Sequence, residues 1–234
     1  MLIRMEGTAR PTVRLLGDAA LLIEFGNRID PGINARVLAA WRTIESLRLP
    51  GVRDIVPAYA SVTVHIDPAL PEQARLCGRL LALCNDLSTP VQPARHVDIP
   101  VCYGPTFAPD MDELCAHTGL SAAEVVSRHS GTDYRVFFLG FTPGFPYLGG
   151  LDPSLAMPRR QTPRTRVEAG SVAIGGEQTG IYPSASPGGW RIIGRTPLSL
   201  FTHDRRPCCL LAPGDTLRFL PITTAEFDAL SGSA

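Results

Sequence analysis

Gly140-Phe141-Thr142-Pro143-Gly144-Phe145-Pro146-Tyr147 opens the segment whose reading decides the fold. From Gly140 to Pro197 there are 11 glycines and 8 prolines in 58 residues. Prolines at that density exclude long helices, because each fixes φ and removes a backbone donor. Short apolar or β-branched runs lie around and between these turns, at 135–139, 171–174, 191–193, 198–202, 208–211 and 216–220. Short strands joined by turn-rich loops predict a β-barrel or sandwich.

Upstream the pattern differs. Residues 110–117 and 121–129 read as two short helices, the second opened by the capping box Ser121-x-x-Glu124 and stopped at Gly131. The pair imitates a helix-turn-helix with Thr118-Gly119-Leu120 as its turn. It offers base edges only Arg128 and His129, and Glu124 would face phosphate, so DNA recognition is not expected. A proline-bearing hinge at 89–95 divides the chain into an N-terminal domain, residues 1–92, and a C-terminal one, residues 93–234.

The first domain alternates strand and helix. An apolar run at 19–25 is followed by Asp30-Pro31, an N-cap with proline at the first helical position. Ile33, Val37, Trp41 and Ile44 recur at helical spacing, so a helix runs to about Leu47. Residues 52–56 read as a strand. Residues 61–66 alternate, with Val62, Val64 and Ile66 on one face and Thr63 and His65 on the other. A second helix carries Leu76, Leu80, Leu83 and Leu87, and a strand at 96–101 closes the unit. The order β-α-β-β-α-β predicts a ferredoxin-like α/β sandwich, with an extra strand near 13–16. The fold class expected is therefore α+β.

The chain carries 22 positive and 22 negative charges, so no global basic field draws it to nucleic acid or to an anionic membrane. Every positive charge is arginine; without lysine neither a Schiff base nor a phosphate-binding P-loop is available. The six cysteines (77, 84, 102, 115, 208 and 209) form no C-x-x-C pair or zinc spacing and read as reduced thiols of a cytosolic protein. The segment Met1 to Pro11 lacks a signal-peptide core, and no apolar run reaches membrane-spanning length.

Three rigid loops are candidates for binding. In the first, Phe141, Phe145 and Tyr147 are held between glycines and prolines, either to frame a ligand or to fill the barrel. The second, 158–166, places Arg159, Arg160, Arg164 and Arg166 within eight residues, suited to carboxylate or phosphate unless simply solvated. From Gly140 to His203 six arginines face three acids. The third spans 178–197 and offers Gln178, Thr179, Tyr182, Trp190, Arg195 and Thr196 for directional hydrogen bonds to a small polar ligand, or as ordinary barrel turns. No G-x-S-x-G elbow and no nucleophile with an adjacent base is visible, so a complete catalytic apparatus is not expected in this chain alone.

Five blocks carry more than this chemistry: Phe138-Leu139-Gly140-Phe141-Thr142-Pro143-Gly144-Phe145-Pro146-Tyr147-Leu148, Ala169-Gly170-Ser171-Val172, Gln178-Thr179-Gly180-Ile181-Tyr182-Pro183, Ser186-Pro187-Gly188-Gly189-Trp190 and Ile193-Gly194-Arg195-Thr196-Pro197. In this order they resemble the allophanate hydrolase subunit 1 family, which includes the B subunits of 5-oxoprolinases, a sporulation-kinase inhibitor and a domain of urea carboxylase. Glu168 departs from the family's pattern, where proline is common. The resemblance implies a C-terminal cyclophilin-like β-barrel after an α+β domain. It also implies a complex with the C and A subunits of a 5-oxoprolinase, which together use ATP to hydrolyse a lactam, 5-oxoproline. On that footing Arg159, Arg164 or Arg195 would pair with the substrate carboxylate or a phosphorylated intermediate. Gln178, Thr179 and Tyr182 would hydrogen-bond the lactam. Kinase inhibition and a carboxyltransferase role in urea or allophanate metabolism are the alternatives within the same family.

Overall fold

The computed structural model describes residues 10–87 and 94–232, in two compact units that divide after Pro93. Most of the hinge read at 89–95, and most of the segment Met1 to Pro11, lie outside the described residues.

In the first unit, β1 (Thr12–Leu15), β2 (Ala20–Glu24), β3 (Val52–Pro57) and β4 (Ser61–Ile66) form an antiparallel sheet in the order β1-β2-β4-β3. Helix α1 (Pro31–Ser46) begins as the sequence requires: Asp30 Oδ1 accepts from Ile33 N at 2.9 Å, and Pro31 takes the first turn. Its Ile33, Val37 and Ile44 join Leu80 and Cys84 of α2 (Gln73–Asn85) against Leu21, Ile23, Val62, Val64 and Ile66 of the sheet. Burying each such side chain contributes about 1.5–3 kcal/mol. The alternation in β4 fixes its register, because a slip of one residue would put exposed His65 where Val64 is buried.

The strand read at 96–101 as closing this unit does not do so. As β5 (His96–Cys102) it runs parallel to β13 (Thr216–Ile222), from His96↔Thr216 to Cys102↔Ile222, in the second unit. The fourth place in the first sheet belongs to β1, which pairs along β2. The expected β-α-β-β-α-β sandwich is therefore not completed in the order read. Ile99 and Val101, fully buried among barrel residues, are the physical reason.

After β5 come α3 (Met111–Thr118), α4 (Ala122–Ser130), β6 (Tyr134–Leu139), β7 (Pro146–Gly149), β8 (Arg164–Val167), β9 (Ser171–Gly175), β10 (Gln178–Ile181), β11 (Ser186–Gly188) and β12 (Arg191–Arg195), then β13 and α5 (Thr224–Ser231). Seven strands close a barrel in the order β10-β7-β6-β13-β5-β12-β9, with β9 pairing back to β10. Strands β8 and β11 make a separate two-stranded ribbon. The barrel core holds Ile99, Val101, Val136, Leu148, Val172, Ile174, Ile181, Ile193, Leu217 and Phe219. The capping box at Ser121 is present, and α3 ends at Gly119 with φ of 73°. The turn between the helices imitates a DNA reader, but His129 is buried inside the unit and Arg128 donates to Ser154 Oγ at 2.7 Å.

The runs at 198–202 and 208–211 are not strands. They meet at the single bridge Phe201↔Cys209. Two backbone bonds flank that bridge, Leu210 N to Leu200 O and Thr202 N to Cys208 O, and Arg205 adds its own donors to Ser199 O, Leu200 O and Cys208 O at 3.0 Å each. All six cysteines are free thiols.

Candidate functional site: an aromatic cluster and an arginine cleft

The loop between β6 and β7 is built by its own backbone. Gly140 N donates to Phe145 O, and Phe145 N donates to Thr142 O. Gly144, at φ 84°, lies so close to the next loop that a Cβ would meet Phe201 Cβ at 2.9 Å. Phe141 also sits at positive φ, 67°, a left-handed conformation that L side chains avoid. Its ring is 61% exposed and edge-on to Phe145, with centroids 5.5 Å apart.

Phe145 is buried and makes edge-on contacts with Tyr182 (5.3 Å) and Trp190 (5.6 Å); Tyr147 packs beside them. Two glycines make room for these rings. A Cβ on Gly175 would strike the Trp190 indole at 2.6 Å, and one on Gly188 would strike the Tyr182 hydroxyl at 2.4 Å. Burial pushes the Tyr182 phenol above its ordinary range, against the pull of its hydrogen bond to the Trp190 backbone and of nearby Arg159 and Arg164. The guanidinium of Arg159 lies 5.6 Å from the Trp190 ring centroid.

The arginine loop is largely neutralised. Asp110, 1% exposed at the start of α3, accepts from both terminal nitrogens of Arg164 (2.8 and 2.7 Å), from Arg160 (3.0 Å) and from Ile192 N (2.7 Å). Burial pushes this carboxyl up, but Arg164, the Ile192 amide and Arg160 together hold it below the usual carboxylate range. Glu113 pairs with Arg191 and with Arg160, and Glu168 pairs with Arg166 at 2.7 Å. Asp110 and Glu113 lie outside the window in which the sequence showed a surplus of arginine, and their pairing with Arg160, Arg164 and Arg191 removes most of that surplus on folding. Arg164, expected to meet a substrate carboxylate, instead holds the ribbon strand β8 to the N-terminus of α3.

Thr179, expected at the lactam, points into the barrel. Its hydroxyl lies 3.1 Å from Ala173 O and 3.0 Å from His129 Nε2, while His129 Nδ1 lies 2.8 Å from the Tyr103 hydroxyl. One assignment of protons satisfies every member: Tyr103 donates to Nδ1, Nε2–H donates to Thr179, and Thr179 donates to Ala173 O. That requires neutral imidazole, and burial lowers the His129 pKa to about 3. Gln178 opens β10 at the β9–β10 hairpin, opposite Gly175.

Arg195 and Thr196 line a different feature, an open cleft with Ala169, Gly170, Pro183, Pro197, Leu198, Ser199, Phe227 and Ser231. Arg195 Nε donates to Ala169 O at 2.8 Å. Thr196 N donates to Gly170 O, and a Cβ on Gly170 (φ 81°) would strike Thr196 O at 2.3 Å.

Tyr182 joins the two features: its ring belongs to the aromatic cluster, and its carbonyl accepts from Gly170 N at 2.7 Å beside the cleft. The sequence-derived candidates thus separate into Phe141, Phe145, Tyr147, Tyr182, Trp190 and Arg159 at the cluster, and Arg195 and Thr196 at the cleft. Asp110 was missed. The signal for it was an acid at a helix start upstream of an uncompensated arginine run.

A closed barrel with a clustered set of loop motifs defines a domain class; among the described residues no group of His, Cys, Asp and Glu is placed to hold a metal ion. Residues 11–211 match the family described as carboxyltransferase domain, subdomain C and D, and the chain belongs to that family. It is 39% identical over 236 residues to the 5-oxoprolinase B subunit of Bacillus subtilis (strain 168), covering 95% of this chain and 97% of that one. The crystal structure of TTHA0988 is similar, with a TM-score of 0.77 and 39% identity over 90% of this chain, which spans 40% of that longer chain. Urea carboxylase of Kluyveromyces lactis shares the fold, with a TM-score of 0.76 at 22% identity, covering 94% of this chain and 22% of that one.

Proposed function

We propose that this chain is the B subunit of a cytosolic, ATP-dependent 5-oxoprolinase, acting with the A and C subunits to hydrolyse 5-oxo-L-proline to L-glutamate. One observation carries the reading: the motif blocks that separate widely in sequence meet at Tyr182, whose ring and carbonyl link the aromatic cluster to the cleft. The near end-to-end similarity to a protein of that name supports it.

The chain's role is to bind and orient rather than to activate phosphate. It has no lysine, and its arginine loop is engaged by Asp110, Glu113 and Glu168. ATP is used by the whole assembly, at a site shared with or held by the partner proteins. The fixed aromatic wall and the cleft supply positioning, which converts a loose encounter into a near-attack geometry.

The test is reconstitution. The chain is combined with the C and A subunits, and ATP-dependent release of glutamate from 5-oxoproline is measured. Activity that requires all three supports the reading. A folded complex that releases no glutamate removes it.

A further inference from the structure

The charge pairings leave one half-buried guanidinium at the cleft. Arg160, Arg164, Arg166 and Arg191 each meet a carboxylate, and Arg159 lies over Trp190. Among the described residues no carboxylate is within ion-pair distance of Arg195; the nearby Glu168 is held by Arg166. The Ala169 carbonyl fixes one edge of the Arg195 guanidinium through Nε. This orients the remaining nitrogens as a planar fork suited to a bidentate carboxylate.

The hydroxyls of the cleft constrain the ligand further. Ser199 donates its proton to Phe201 O at 3.1 Å, and Ser231 donates to Phe227 O at 2.9 Å. What these oxygens offer is therefore lone pairs, which call for a donor on the ligand. Pro183, Pro197, Leu198 and the Phe227 ring supply apolar wall.

From this we infer that the cleft is a subsite for a small α-amido carboxylate: Arg195 takes the carboxylate, and Ser199 and Ser231 accept from the adjacent N–H. The inference rests on the 5-oxoprolinase reading and specifies how a lactam acid is held. Inorganic phosphate would also meet the guanidinium, so it is the competitor in the test.

The test has two arms. In the first, the full chain and the reconstituted complex are labelled at arginine with phenylglyoxal, and modification of Arg195 is read by peptide mass. 5-Oxoproline is expected to slow that labelling at least ~5-fold, its carboxamide to leave it unchanged, and the ring-oxygen (lactone) acid to protect more weakly. In the second, Arg195→Gln in the complex is expected to raise KM about 10- to 100-fold with a smaller change in kcat. It should also abolish the preference for 5-oxoproline over the carboxamide, and Arg195→Lys should restore part of the affinity. A merely structural role would weaken acid and carboxamide alike. An active complex in which 5-oxoproline leaves Arg195 labelling and the Arg195→Gln KM unchanged overturns the subsite and spares the 5-oxoprolinase reading. An inactive complex in which 5-oxoproline still protects Arg195 does the reverse. Protection by phosphate that exceeds protection by 5-oxoproline overturns the amido-carboxylate assignment.

Discussion

Replacing Asp110 with alanine removes the acceptor that joins α3, the arginine loop and β12. The carboxylate is 1% exposed and takes four hydrogen bonds, from Arg160, both ends of the Arg164 fork and Ile192 N. Deleting one side of a fully buried ion pair costs about 3–5 kcal/mol. Arg160 and Arg164 remain 28% and 24% exposed, so water partly rehydrates them. The Ile192 amide, which is not exposed, loses its acceptor at a further cost of about 1–3 kcal/mol. A net loss of about 3 kcal/mol is expected. For a unit covering residues 94–234 this lowers the melting point of the barrel transition by about 10 °C. The assay is thermal and urea unfolding of Asp110→Ala, Arg164→Ala and the double variant. The double variant should lose at least about 1 kcal/mol less than the sum of the singles. A single-variant loss under about 1 kcal/mol, or strict additivity, refutes the claim that these groups act as one buried network. The sign with pH follows: the folded carboxyl is held below its unfolded value near 3.9. Its contribution is therefore complete at neutral pH and is lost as pH falls below that value, through the folded one.

His129 also costs stability towards acid, here because burial disfavours its charged form. Its folded pKa of about 3 lies below the unfolded 6.5, so the unfolded chain takes up the extra proton and stability falls as pH drops from about 6.5 towards 3. At pH 5 the loss is about 2 kcal/mol, at 1.36 kcal/mol per unit; urea midpoints of the wild type and His129→Gln between pH 7 and 5 should diverge in slope. Phe141→Gly relieves a left-handed residue that is exposed, so stability should hold or rise by up to about 1 kcal/mol, and a clear loss in denaturation midpoint argues against strain at that turn. Gly170→Ala should cost at least about 2 kcal/mol, because both the φ of 81° and the 2.3 Å approach to Thr196 O oppose it; an unchanged midpoint would show that the loop shifts freely.

What was legible in the sequence was local. The cap at Asp30, the box at Ser121 and the alternation of Val62, Val64 and Ile66 each act within a few residues, and each stands where it was read. The partners of a strand are set by distant chain, so the pattern at 96–101 announced a strand but not its neighbour 120 residues away in β13. Strands β7, β8, β10 and β11, of three or four residues, were hidden within turn-rich sequence whose composition outweighed their pairing. The arginine loop shows the same limit. Composition reported its charge but not that Asp110 and Glu113 on α3 neutralise it. Thr179 was read as a ligand contact because a hydroxyl beside glycine resembles one; only the barrel's curvature reveals that it faces inward to His129.

The pairing of β5 with β13 also bears on how the protein is made. These are the first and last strands of the C-terminal unit, and they lie against each other along seven registered pairs. A ribosome releases the chain from its N-terminus, so β5 emerges long before its parallel neighbour exists. During that interval the N-terminal unit has all its described strands and can close its own sheet, whereas the barrel has a gap where β13 belongs. Closure must await β13, and a large loop has to be restrained at that moment. Premature termination after the first barrel strands have formed but before residue 216 therefore yields a folded first unit attached to an open apolar sheet, a natural substrate for holding chaperones and proteases.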